Sequence, residues 1–223
     1  MPSRTFYPDA DPETSSVDGS VWHIENTDWA SLRAAAGNFY TDDDDGSVYE
    51  MVGIGSYTDS NVWNRIVRGI LLFDTSLLPK DCTILSAILS VYTNFKRDGL
   101  NLGDTFKVNV YGSSPASNVG LANGDFDSLG STPLCDTPIT YSGFTVDERQ
   151  EFALNAAGLA LVSKTGLTKL GLREVTYDVG GATPTWVRFV RNQIMIYLAE
   201  KGGDYRPKLV VTYVGGQQHI ALS

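Results

Sequence analysis

Val67-Arg68-Gly69-Ile70-Leu71-Leu72-Phe73 runs into Asp74-Thr75-Ser76-Leu77-Leu78-Pro79, and after a short break comes Thr83-Ile84-Leu85-Ser86-Ala87-Ile88-Leu89-Ser90-Val91-Tyr92-Thr93. The first run carries apolar side chains on both faces, the pattern of a central strand covered on each side. The second alternates Leu85, Ala87, Leu89 and Val91 with Ser86, Ile88, Ser90 and Tyr92, which is the period of an extended strand. Leu77-Leu78-Pro79 breaks the chain between them. Asp74 sits where the first strand leaves its sheet, placed to accept backbone N–H bonds in the turn through Ser76.

Working outward, the same extended signal recurs. Strands are expected at Thr5 to Pro8, Val48 to Ile54, and Phe106 to Tyr111, where Phe106, Val108 and Val110 alternate with polar neighbours. More follow at Phe144 to Phe152, Thr168 to Val175, Trp186 to Leu198, and Lys208 to Val214. Pro207 opens the last strand, where a missing N–H costs least. Only two helices are signalled. Asn26 to Gly37 has caps at Asn26 or Thr27, Asp28 in the first turn, a face of Trp29, Leu32 and Ala36, and Gly37 as a left-handed stop. Asn155 caps a second short helix to Val162. Residues 112 to 143 read as loop. The expectation is an all-β protein: a two-sheet antiparallel β-sandwich of jelly-roll type with one or two short helices. The whole chain, 1–223, reads as one domain with an irregular segment at 9–47 and a short tail at 215–223. Leu71, Phe73, Leu89, Val91, Val108, Val110, Leu209 and Val211 are the predicted core.

Composition agrees. Of 223 residues, 42% are hydrophobic and only 19% charged, with 22 Gly, 9 Pro, 11 Tyr and 9 Phe. That suits a turn-rich β protein and excludes a disordered chain. With 26 acidic against 17 basic residues the net charge is −9. A field of that sign repels nucleic acid and anionic membrane. No apolar run approaches the roughly 20 residues that span a bilayer. Cys82 and Cys135 are the only cysteines and belong to no metal-binding cluster. They can pair or stay free, and two free thiols are the simpler reading.

Several of these blocks together resemble the DNRLRE-domain family, jelly-roll modules of virion-associated and extracellular proteins. The resemblance rests on Arg68 to Pro79, Thr83 to Tyr92, Phe152 to Asn155, Lys169 to Arg173, and Arg206-Pro207-Lys208-Leu209-Val210-Val211-Thr212-Tyr213. It covers about residues 5 to 214, although the hexapeptide that names the family does not occur. It implies a module that works by contact. The start of the sequence carries no apolar leader, so the expectation is a virion surface location, with an extracellular one as alternative. The expected role is a non-enzymatic virion structural protein, a bacteriophage head or tail surface or decoration protein. Its expected partners are capsid or tail proteins, further copies of itself, and a host-surface glycan. The alternative is a carbohydrate-binding module of a secreted protein.

Catalytic patterns are weak. The two histidines, His23 and His219, lie far apart in sequence, and neither a nucleophile elbow nor a phosphate loop occurs. No catalytic residue and no cofactor is assigned. For a metal, the acidic turn Asp42, Asp43, Asp44, Asp45 offers hard oxygens suited to calcium but lacks the spacing of a helix-loop-helix calcium loop. Asp9 and Asp11 are a second acidic pair. For a glycan, aromatic platforms are needed. Trp63, in the polar stretch 57–63, is the best placed of them for an exposed platform, with Trp22 a further candidate, but a structural packing role is favoured for each tryptophan. Trp29 is expected in the core, and Trp186 is a further aromatic. Ile220 and Leu222 in the tail are candidates for partner contact.

Overall fold

The computed structural model describes residues 1–42 and 48–215. Among the described residues twelve strands form: β1 (Ser3–Phe6), β2 (Asp18–His23), β3 (Phe39–Thr41), β4 (Val48–Ser56), β5 (Trp63–Asp74), β6 (Thr83–Asp98), β7 (Lys107–Gly112), β8 (Ile139–Thr140), β9 (Glu148–Ala153), β10 (Leu167–Glu174), β11 (Arg191–Tyr197) and β12 (Lys208–Val214). Two short helices join them, α1 (Trp29–Ala34) and α2 (Ala156–Leu161). The all-β antiparallel architecture expected from the sequence is what forms. The strands are joined in one continuous sheet that curls into a half-barrel, in the order β1-β12-β6-β11-β4-β5-β10-β7-β8. β2, backed by β3, lies on the other edge of β5, and β9 on the other edge of β6.

Two long strands explain the continuity. β6 pairs through Thr83–Ser90 with β12 and through Thr93–Asp98 with β11. β5 pairs through Trp63–Val67 with β4 and through Gly69–Asp74 with β10. Each therefore serves two partners in series along one edge. Register shifts at Ile194/Met195 and Thr212/Tyr213 bend the paired strands, as an extra residue on one side of a ladder does.

All eight predicted core residues are buried, none above 1% exposed. Full burial of a side chain such as Leu or Phe is worth about 1.5–3 kcal/mol. Asp74 behaves as its sequence implies: Oδ1 accepts the Ser76 N–H at 3.0 Å. Along β5 the alternate residues Arg68, Ile70 and Leu72 are buried too. The segment between β7 and β8 covers that face, laying Phe126 against the Arg68 guanidinium, 3.7 Å from its carbon.

Some boundaries differ. The segment 9–47 is not all irregular, because β2 pairs with β5 from Asp18 to His23. Helix α1 starts later and ends earlier than its signals suggest. Asp28 caps it, accepting the Ser31 N–H at 3.0 Å and hydroxyl at 2.6 Å. Trp29 and Leu32 are buried as expected, whereas Ala36 lies beyond the helix and is exposed. Gly37 is not a left-handed stop. It is small because a Cβ there would collide with the Asn123 carbonyl and the Phe126 side chain. The extended stretch expected from Trp186 begins as a strand only at Arg191. Asn155 does cap α2, its side chain accepting the Gly158 N–H at 3.1 Å.

Candidate functional site

The aromatic candidates are redistributed. Trp63 is 1% exposed and is no platform. Its backbone pairs with Thr27 as β5 begins, and its ring meets Trp29 edge-on with centroids 5.3 Å apart. The polar residues before it belong to a turn, and the strand starts at Trp63, four residues before the expected start at Val67. Trp22 is half-buried, with Phe39 edge-on at 5.5 Å and the Arg65 guanidinium 5.1 Å from its ring. Trp186 is also half-buried, its Nε1 donating to the Val62 carbonyl at 3.2 Å.

Asp42 is buried, and its carboxylate accepts the Leu121 N–H, so it anchors a neighbouring loop. Asp43, Asp44 and Asp45 lie outside the described residues, as do His219, Ile220 and Leu222. Asp9 is occupied as a turn former: its Oδ2 accepts from the backbone and hydroxyls of Thr14 and Ser15. Partial burial pushes its carboxyl up, but those bonds outweigh it and hold it below the usual range. His23 is buried, with its ring nitrogens facing the Ala36 carbonyl and the Glu25 carboxylate. Cys82 and Cys135 are both buried and free.

Two clusters had no place in the sequence reading. One is internal. Arg68 on β5 and Arg173 on β10 face each other one position beyond the Gly69–Leu172 pair of the two strands, and both clamp Asp178 from the turn after β10. Oδ1 accepts from Arg68 Nη2 at 2.7 Å and Arg173 Nη2 at 2.8 Å, and Oδ2 from Arg68 Nε at 3.0 Å and Arg173 Nε at 2.8 Å. The remaining guanidinium donors reach the carbonyls of Phe126, Leu129 and Gly130. Burial pushes the Asp178 carboxyl up, but the two guanidiniums outweigh it and hold it below the usual range. Glu174 caps the same turn, accepting the N–H groups of Thr176, Tyr177 and Asp178. Every group here is engaged within the protein, so the cluster welds β5 and β10 to the covering segments.

The other cluster is open to solvent. The ends of β4 and β6 meet the starts of β5 and β11, because β11 pairs with β4 on one side and β6 on the other. Ser56, Asn64, Arg97, Phe189, Val190 and Arg191 line a cavity of about 270 Å³ at that corner. The turn before β11 is fixed by Ser56, which donates its N–H to the Val190 carbonyl and accepts the Val190 N–H on its hydroxyl, each at 3.0 Å. The Phe189 N–H donates to the Tyr57 carbonyl at 3.1 Å. Phe189 is held at φ +52 with its side chain 64% exposed. A bulky residue is rare in that left-handed region, and such strain concentrates at binding sites. Among the described residues neither Arg97 nor Arg191 is in an ion pair, in a chain with an excess of acids. An exposed ring that shares a cavity with two guanidiniums outside any ion pair can stack on a sugar face while they hold a carboxylate or sulfate by paired N–H bonds.

A search of known protein families found no family model that matches the chain, and no curated protein matches it.

Proposed function

We propose that this protein is a non-enzymatic contact module of a virus particle, of the DNRLRE-like kind, that binds an acidic host-surface glycan through the Phe189 corner. The observation that carries the glycan reading is the exposed, backbone-strained Phe189, which lines one cavity together with Arg97 and Arg191. The cavity is at the small end for a ligand site, suited to a terminal acidic sugar unit. The particle setting rests on the sequence resemblance. In its support, Arg68 and Arg173, which belong to two separate blocks of that resemblance, share one buried partner.

The test is calorimetric titration with an oligogalacturonide and with a neutral galactose oligomer of equal length. The acidic oligomer is expected to bind and the neutral one not. Arg97→Ala and Arg191→Ala should each weaken binding roughly tenfold or more, the loss of one charge-assisted contact. Binding of both oligomers alike, or binding unchanged in both variants, would remove the acidic-glycan reading. An extracellular carbohydrate-binding module would use the same corner. Immunogold labelling of purified particles distinguishes the settings, a virion component being found on the particle.

A further inference from the structure

Asp18 opens β2 and is completely buried. Its Oδ2 accepts the Ala199 N–H at 3.1 Å. Its Oδ1 has no hydrogen-bond partner, and neither has the hydroxyl of Ser16, a second fully buried side chain two residues earlier. Two orphaned buried oxygens only two residues apart are unusual, because such atoms cost free energy unless something occupies them. What faces them is negative. Glu200, next to Ala199, and Glu13, in the loop before β2, are the side-chain charges that act most strongly on Asp18. Burial comes first, and these two charges add to it, in pushing the Asp18 carboxyl well above its usual range. Both glutamates are half-buried. Glu200 also ties the loop to this corner, its Oε1 accepting the Asp11 N–H at 3.2 Å.

A proton shared among three carboxylates would relieve their repulsion but leave the Ser16 oxygen orphaned. A hard divalent cation relieves both. We propose that Asp18, Ser16, Glu13 and Glu200 form a binding site for calcium, which pins the loop 9–16 to the β11–β12 connection. The donors are all oxygen, and carboxylate-rich flexible sites favour calcium over magnesium, which keeps its waters and demands near-ideal octahedral geometry. Among the described residues, no three His, Cys, Asp or Glu side chains already stand at ligand spacing. Binding therefore requires Glu13 and Glu200 to turn toward Asp18 to complete the shell. This site is separate from the acidic turn at Asp42 to Asp45.

The experiment uses the full chain, treated with EDTA and dialysed, then melted with calcium chloride, magnesium chloride or neither. Calcium at a hundredfold excess over Kd should raise Tm by roughly 5–10 °C, and magnesium by much less. Asp18→Asn should melt at or above the wild-type temperature in EDTA, because it removes a buried charge, and should lose the calcium shift. Asp43→Asn/Asp44→Asn/Asp45→Asn should keep it. Absence of a calcium shift in the wild type, or a full shift in Asp18→Asn, overturns the proposal. If Asp18→Asn fails to fold, Glu200→Gln and Glu13→Gln decide: full shifts in both overturn it, and reduced shifts support it.

Discussion

Replacing Asp178 with Asn removes the one negative charge between two buried guanidiniums. Four charge-assisted bonds of 2.7–3.0 Å end on that carboxylate. Asn keeps a single acceptor and turns an NH₂ toward the arginine donors. Removing one partner of a buried ion pair costs about 3–5 kcal/mol, since the other charge stays behind unpaired. Here two like charges stay behind, with side chains only 6% and 9% exposed. The loss should therefore fall at the upper end, about 4–5 kcal/mol, a large part of the roughly 5–15 kcal/mol that holds a domain folded. In thermal terms that is a drop of roughly 10–20 °C. Urea unfolding followed by tryptophan fluorescence measures it directly. A companion variant, Arg68→Met/Arg173→Leu/Asp178→Leu, should recover most of the loss, because well-packed apolar replacements of buried ion groups are often neutral. The carboxyl is held low in the folded protein, so its contribution is complete above the unfolded value near 3.9 and fades as pH falls through the folded value. The difference between wild type and Asp178→Asn should thus be constant from pH 8 down to about 5 and shrink only in stronger acid. A variant within about 1 kcal/mol of wild type at pH 7, or a triple variant as damaged as the single one, would refute this account of the cluster.

Phe73→Ala should lose roughly 3–5 kcal/mol, the cost of a cavity at a site with no exposure; a urea midpoint shift worth less than about 1 kcal/mol would contradict its place in the core. The thiols should be silent in the folded protein. Cys82 and Cys135 are 3% and 2% exposed, and burial pushes the Cys135 thiol up to about 11, so a colorimetric disulfide reagent at pH 8 should react only after unfolding, with two equivalents. Fast reaction in the native state would count against both placements.

The strand pattern was readable because burial on a pleated surface writes period two directly into the chain. Leu89 and Val91 on β6, or Leu209 and Val211 on β12, need no partner to be recognised. The Asp74 turn is equally local, its acceptor and donor lying two residues apart. Trp63 takes the packing role favoured for it, and it drew notice as a platform only because Asp59, Ser60 and Asn61 are turn residues standing just before a buried strand. The Arg68 cluster spans 110 residues to Asp178, and spacing alone does not join them. A signal was present all the same: an Arg in the middle of a strand apolar on both faces demands a carboxylate. The Phe189 corner had no such mark. Arg97 lies opposite Gln193 only once the register of β6 and β11 is fixed, and register is a property of the folded sheet. The Asp18 site likewise joins a loop, a strand start and a distant turn.

β1 makes its ladder with β12, Phe6 lying opposite Leu209. On a ribosome adding 5–20 residues per second, roughly 10–40 s separate the synthesis of these two partners. Throughout that interval β1 is a finished strand with nowhere to dock, beside the growing chains of any neighbouring ribosomes. Its four residues, Ser3-Arg4-Thr5-Phe6, with one charge and one aromatic, make it a poor template for wrong pairing, as short and charged edges are. The segment that closes the fold last is thus also the one least able to misdirect it while it waits.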